Sequence, residues 1–187
     1  MLYTQTIVLA LVAAATAIDV RFYSSGNCGG SYTTCSGAKP GECCRGPAQR
    51  FSVEFAAIPK DWKIRGTSYN GHSPCRFPNQ GADSAGRSSI CLVSRAENNS
   101  ARYEFISKKR GDDGSLAQDG IPAAVEGAAE QKCIRPDTLV LEDGTAFDLT
   151  NLNEAAFDTM CVSVYVSASG SAATVSDVPE EFLPYIV

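Results

Sequence analysis

Histidine is nearly missing from this chain: His72 is the only one in 187 residues. A serine or cysteine nucleophile needs a base within reach, usually histidine. His72 follows Tyr69-Asn70-Gly71, where a turn is expected, and reads as a turn residue. Ser-x-x-Lys and Gly-x-Ser-x-Gly are both lacking, which removes two further nucleophile signatures. No Cys-x-x-Cys or Cys/His spacing suits zinc. Gly26-Asn27-Cys28-Gly29-Gly30 has no P-loop lysine and opens no helix. No catalytic residue, metal ligand or cofactor is expected. The acidic residues of the C-terminal half read as a solvated surface rather than a glycosidase pair. No apolar run approaches the roughly 20 residues that a bilayer span needs.

The one apolar run, residues 7–15, is short and is followed by Ala15-Thr16-Ala17, a small-x-small site. Residues 1–17 therefore read as a secretory signal peptide, although the start has no Lys or Arg. Eight cysteines follow: Cys28, Cys35, Cys43, Cys44, Cys75, Cys91, Cys133 and Cys161. An even number in a secreted chain reads as a disulfide framework with every cysteine oxidised. Cys43 and Cys44 are neighbours on a strand and point to opposite faces, so different partners are expected.

Charge divides the chain sharply. Residues 18–110 hold fourteen Lys and Arg against seven Asp and Glu, a net +7. Residues 111–187 hold two against fourteen, a net −12. At the switch, Lys109 and Arg110 precede a Gly- and Asp-rich stretch, a pattern similar to proprotein-convertase sites. Residues 111–132 have no apolar period and read as a flexible acidic linker. The expected organisation is a disulfide-rich domain over 18–110, this linker, and an acidic β unit over 133–187. Six cysteines precede the linker and two follow it, so each side can close on itself, Cys133 pairing with Cys161. Asn98-Asn99-Ser100 is an N-glycosylation sequon, which requires a surface position for Asn98.

Alternation dominates the local pattern. Residues 51–55 and 160–166 alternate apolar and polar and read as strands. Residues 139–149 read as a hairpin about Asp143-Gly144, a type I′ turn signal. A short helix is expected within 151–157. Short strands between turn signals imply an all-β fold.

A pattern occurs twice in residues 19–107. Val20-Arg21-Phe22-Tyr23 leads to Cys28-Gly29-Gly30, and Ile64-Arg65-Gly66-Thr67-Ser68 leads to Tyr69-Asn70-Gly71. Each is a strand, a turn, an aromatic or Cys, one residue, then Gly. This resembles the Greek-key signature of the β/γ-crystallin superfamily. The resemblance implies two Greek keys forming one sandwich. It makes Gly30, Ser52, Tyr69 and Gly71 signature positions and Trp62 a core residue. Cys28 then stands in the usual aromatic place, where a bridge replaces the lost packing. The family's calcium motif is not matched, because Arg102 and Tyr103 stand where hydroxyls belong. Secreted cysteine-rich members are similar to killer toxins, antimicrobial proteins and effectors. The expected function is non-enzymatic binding, toxin-like or effector-like. The basic domain points to an anionic cell surface or another extracellular target rather than nucleic acid. A structural or stress-protective role is the alternative, and a secreted hydrolase comes third.

Overall fold

Ile18, Val20 and Phe22 alternate with Asp19, Arg21 and Tyr23, and in the computed structural model they form the first strand, β1 (Ile18–Tyr23). The structure describes residues 17–71, 73–106, 133–168 and 174–187. Strands β2 (Tyr32–Ala38), β3 (Cys43–Ala56), β4 (Ile64–Asn70), β5 (Phe77–Asp83) and β6 (Ile90–Phe105) follow. After the acidic stretch come β7 (Cys133–Ile134), β8 (Thr138–Val140), β9 (Ala146–Asp148) and one helix, α1 (Glu154–Ala168). The fold is all-β in its main body. The hydrogen-bonded order is β5-β4-β6-β3-β1-β2-β8-β9, with β7 beside β3. All pairs are antiparallel except β3 with β7.

Two long strands fold this sheet over one core. The later part of β3, residues 52–55, lies between β1 and the start of β6. Its early part, Cys44 and Arg45, meets the later part of β6, which in turn pairs with β4. Register breaks separate the two parts of β3, and such irregularities bend strands. Phe22 and Phe55 from one layer pack with Ile64 and Tyr103 from the other, all fully buried. The layers touch where two glycines face rings. A Cβ at Gly46 would lie 2.6 Å from Phe22, and one at Gly66 would lie 2.4 Å from Phe55.

The acidic unit extends this sheet. Strand β8 pairs with β2, and Asp137 accepts hydrogen bonds from the Ser36 backbone N–H and hydroxyl, both at 2.8 Å. A second core lies between the β8–β9 hairpin and α1, built from Leu139, Leu141, Phe147, Leu149, Phe157 and Met160. The Arg135 guanidinium donates to the carbonyls of Leu149, Thr150 and Leu152 and stacks on Phe157. The free edge of β9 is covered by the chain's own end: Val187 N–H donates to Ala146 O at 3.0 Å. Covered edges do not recruit foreign strands.

Two local expectations are corrected. Residues 160–166 are helical, not extended. Asn153 caps α1, its side-chain oxygen accepting from Ala156 N–H at 2.9 Å. Phe157, Met160 and Cys161 are then buried at i, i+3 and i+4, while Val162 is 58% exposed. The hairpin turn is not type I′. Only Gly144 has positive φ, Gly144 N–H bonds Leu141 O, and Leu141 N–H bonds Thr145 O. That is a type I turn closed by a left-handed glycine, the three-residue alternative.

Among the described residues no helix is long and apolar enough to cross a membrane.

Candidate functional site

The two hairpins of the basic domain are clamped in the same way. Ser52 on β3 accepts from Cys28 N–H at 2.9 Å and donates to Ser25 O at 2.7 Å, holding down the β1–β2 connection. Ser100 on β6 accepts from Cys75 N–H at 2.8 Å, holding down the β4–β5 connection. Cys28 and Cys75 both have positive φ, 54° and 52°. Gly30 and Gly71 do too, at 80° and 88°, where a Cβ is penalised. Ser52 stands opposite Tyr23, and Ser100 stands opposite Tyr69. Tyr23, not Cys28, is therefore the counterpart of Tyr69, and Cys28 is the counterpart of Cys75. Ser100, Tyr23 and the role of Cys75 are absent from the sequence-based set. Their signal is a near-constant offset: Ser52 to Ser100 and Cys43 to Cys91 are each 48 apart, Cys28 to Cys75 is 47.

Of three disulfides, two follow this duplication. Cys28 joins Cys91, and Cys75 joins Cys43, so each hairpin is tied to the long strand of the other half. Cys35 joins Cys44, linking β2 to β3. Cys43 and Cys44 take different partners, as their opposite facing requires. The expectation of full oxidation is corrected at Cys161, which lies outside these bridges. Strand β7 sets Cys133 in parallel register with Cys43 on the exposed side of the sheet. Helix α1 buries Cys161 in the second core, where burial pushes its thiol up to about 12. It is a packed thiol, not a nucleophile.

Asn98 is also corrected. It is fully buried, and its amide oxygen accepts from the Asn79 amide at 2.9 Å. Its own amide nitrogen, the atom a glycan would join, is buried as well. The sequon demands a surface position that the β5–β6 packing takes away. His72, Lys109, Arg110, the signal segment and the acidic linker lie outside the described residues.

On the outer face of β1–β3, Tyr23 OH donates to Glu54 at 2.7 Å, Arg21 lies 3.5 Å from both Glu54 and Asp19, and its guanidinium covers the Tyr32 ring. Burial raises the Tyr23 phenol, and the Glu54 hydrogen bond adds to this. The cluster ties Arg21, Tyr23 and Tyr32 to Glu54 and Asp19 within the sheet, leaving the buried Arg21 Nε without a partner. Two further arginines are spent similarly: Arg65 on Asp83 at 2.9 Å and Arg102 on Glu104 at 3.2 Å. Among the described residues the one ion pair between the basic and acidic halves is Arg45 with Glu154, 3.8 Å apart and mostly exposed. Such a pair contributes little; strand pairing, the Ser36–Asp137 hydrogen bonds and the buried Arg50 guanidinium donating to Cys161 O join the halves.

The lysines differ. The β2–β3 turn carries Lys39, and the β3–β4 loop carries Lys60 and Lys63, all exposed and without a carboxylate in ion-pair reach among the described residues. Both connections meet the last residues of β6. Gly41 N–H bonds Tyr103 O at 2.8 Å, Tyr103 OH bonds Ala38 O at 3.0 Å, and Ile106 N–H bonds Lys63 O at 2.8 Å. Trp62 packs edge-on to Phe105, with ring centroids 4.8 Å apart. Phe105 is 48% exposed and Ile106 41%. One end of the domain thus presents an apolar ridge with unspent lysines around it. It is the candidate functional surface.

No curated protein and no solved structure matches the chain. A family model described as an N-terminal domain, ARB_05566_N, matches residues 19–137. The matched span starts within β1, runs beyond Arg110, and ends at Asp137, the residue that anchors β2 to the acidic unit. Since the match covers more than half of its residues, the chain belongs to the ARB_05566_N family.

Proposed function

We propose that this is a secreted, non-enzymatic, β/γ-crystallin-like protein that acts by binding an anionic extracellular surface, in the manner of a toxin or effector. The crystallin-like part of this reading is supported by the paired clamps, Ser52 over one hairpin and Ser100 over the other. Extracellular life is supported by three bridges, which persist in oxidising compartments. The observation that carries the binding role is the lysine-ringed end. Lys39, Lys60 and Lys63 lie on the two connections that meet the end of β6, where Phe105 and Ile106 are exposed, while Arg21, Arg45, Arg65 and Arg102 of the same domain are engaged by Asp19, Glu54, Glu154, Asp83 and Glu104. Lysines without a carboxylate partner beside exposed apolar side chains are available to an anionic partner.

The acidic half is not needed as a mask in this reading. It is held by β2–β8 and β3–β7 pairing, far more firmly than by its one exposed ion pair. A cut after Arg110 would leave two pieces joined by backbone hydrogen bonds, and the full chain is the species proposed to bind.

The test is binding of the purified full chain to intact microbial and animal cells across a salt series, with growth measured in parallel. Salt-sensitive binding that Lys60→Glu with Lys63→Glu abolishes is the expected result. Binding with growth inhibition marks a toxin. Equal binding by the charge-reversed variant, or none by either, refutes the reading and favours a structural extracellular role.

A further inference from the structure

We infer that the Trp62–Phe105–Ile106 end docks on an anionic lipid bilayer, with Phe105 and Ile106 entering the interface and Lys39, Lys60 and Lys63 meeting lipid headgroups. This rests on the reading of that end as the binding surface and adds the partner's class. The first reason is the combination of chemistries. A charged polysaccharide or polyphosphate needs only the lysines. It offers no apolar phase to the two neighbouring side chains that stand 48% and 41% exposed. A bilayer interface takes both, because apolar groups enter the acyl boundary while basic groups stay at the anionic headgroups. Lysine stems cover apolar surface as their ammonium groups reach water or phosphate.

The second reason is rigidity. Ile106 is pinned through its N–H to Lys63 O at 2.8 Å, and Phe105 is propped by Trp62 at 4.8 Å and by Tyr103 at 6.4 Å. Trp62 itself packs on the main core. A ridge already held in place loses little side-chain freedom on docking. The third is electrostatic. Of the carboxylates at this end, Glu104 is paired with Arg102 at 3.2 Å. Glu42 and Asp61 remain beside the three lysines. The balance is positive but small, so docking requires anionic lipid and weakens with salt.

Trp62 is the only tryptophan of the chain, so the site contains its own probe. Full-length protein is titrated with phosphatidylcholine vesicles, with the same vesicles containing phosphatidylserine, and with heparin. Tryptophan emission and co-sedimentation are read at low and high salt. The expected result is a blue shift and sedimentation with the phosphatidylserine vesicles alone, reversed by salt. Phe105→Ser with Ile106→Ser should weaken vesicle binding about tenfold or more, since burying such side chains carries most of the partition energy. Lys60→Glu with Lys63→Glu should weaken it about as much. Thermal unfolding keeps both variants interpretable, because the replaced side chains are surface groups. Heparin binding that is unaffected by the Phe105 and Ile106 changes, with no vesicle binding, overturns the bilayer inference and leaves the binding surface standing. Failure to bind either vesicles or heparin overturns both.

Discussion

Gly66→Ala tests the two-layer packing most directly. The added Cβ would sit 2.4, 2.5 and 3.0 Å from three atoms of the Phe55 ring. Carbon atoms pack best at about 3.5–4.0 Å, so the ring must retreat by about 1 Å. It cannot swing into water, because Phe55 is fully buried beside Val20 and Ile90. Forcing a methyl into such a core costs about 1–3 kcal/mol. Against this, alanine restricts the unfolded chain and returns about 0.4–1 kcal/mol. The φ of Gly66 is not positive, so backbone strain adds nothing, and a net loss of about 1–2 kcal/mol is expected. Urea unfolding of the oxidised protein measures it as a lower midpoint at unchanged slope. Phe55→Leu makes room, so the double variant should lose less than the two single losses together, by about 1 kcal/mol. Gly26→Ala, whose Cβ meets nothing within 4 Å, is the control and should stay within about 0.5 kcal/mol of the parent. If Gly66→Ala unfolds with the control, the layers are not packed as described.

Ser100→Ala strands the buried Cys75 N–H and should cost about 1–3 kcal/mol. Ser52→Ala strands both Cys28 N–H and Ser25 O and should cost at least as much, again by urea midpoint. Three bridges mean that non-reduced protein is six mass units lighter than reduced, two for each bridge. Cys161 should resist alkylation at pH 8 until the chain unfolds, since its thiol is raised to about 12; eight units, or labelling in the folded state, contradicts this. Burial also raises Tyr103 to about 12, with the Glu42 charge adding to the effect. Unfolded tyrosine ionises near 10, so the stability is complete below about pH 10 and drains as pH climbs towards 12. The loss from this residue alone is about 2–3 kcal/mol. Tyr103→Phe should flatten that alkaline slope while lowering neutral stability about 1 kcal/mol through the lost bond to Ala38 O; an unchanged slope refutes the assignment.

The clamp positions were half legible. Ser52, Gly30, Tyr69 and Gly71 stand out by local pattern, and the structure puts each at a hairpin or its clamp. In sequence Cys28 looks equivalent to Tyr69, since both precede a glycine by two residues. The true equivalence, Tyr23 with Tyr69, appears only in the strand register, where each faces its serine. The lysine-ringed ridge was not legible at all. Lys39, Lys60, Lys63, Phe105 and Ile106 come from three separate segments, and nothing local marks an arginine as spent or a lysine as unspent.

What the sequence by itself determined is what short-range periodicity controls. Residue-by-residue alternation sets the inward faces of β1 and the later part of β3, neighbouring positions send Cys43 and Cys44 to opposite sides, and Gly144 marks a turn. Tertiary structure alone decided the rest. Residues 160–166 satisfy a strand pattern and a helix pattern alike, and the apolar faces of β8 and β9 select the helix by burying Phe157, Met160 and Cys161 together. Asn98 carries a sequon but is sealed by Asn79 and Ser94 across β5 and β6. The crossed pairing of Cys28 with Cys91 and Cys75 with Cys43 spans 63 and 32 positions. Each of these depends on groups far apart in the chain, whose meeting is set by how two long strands bend over a common core.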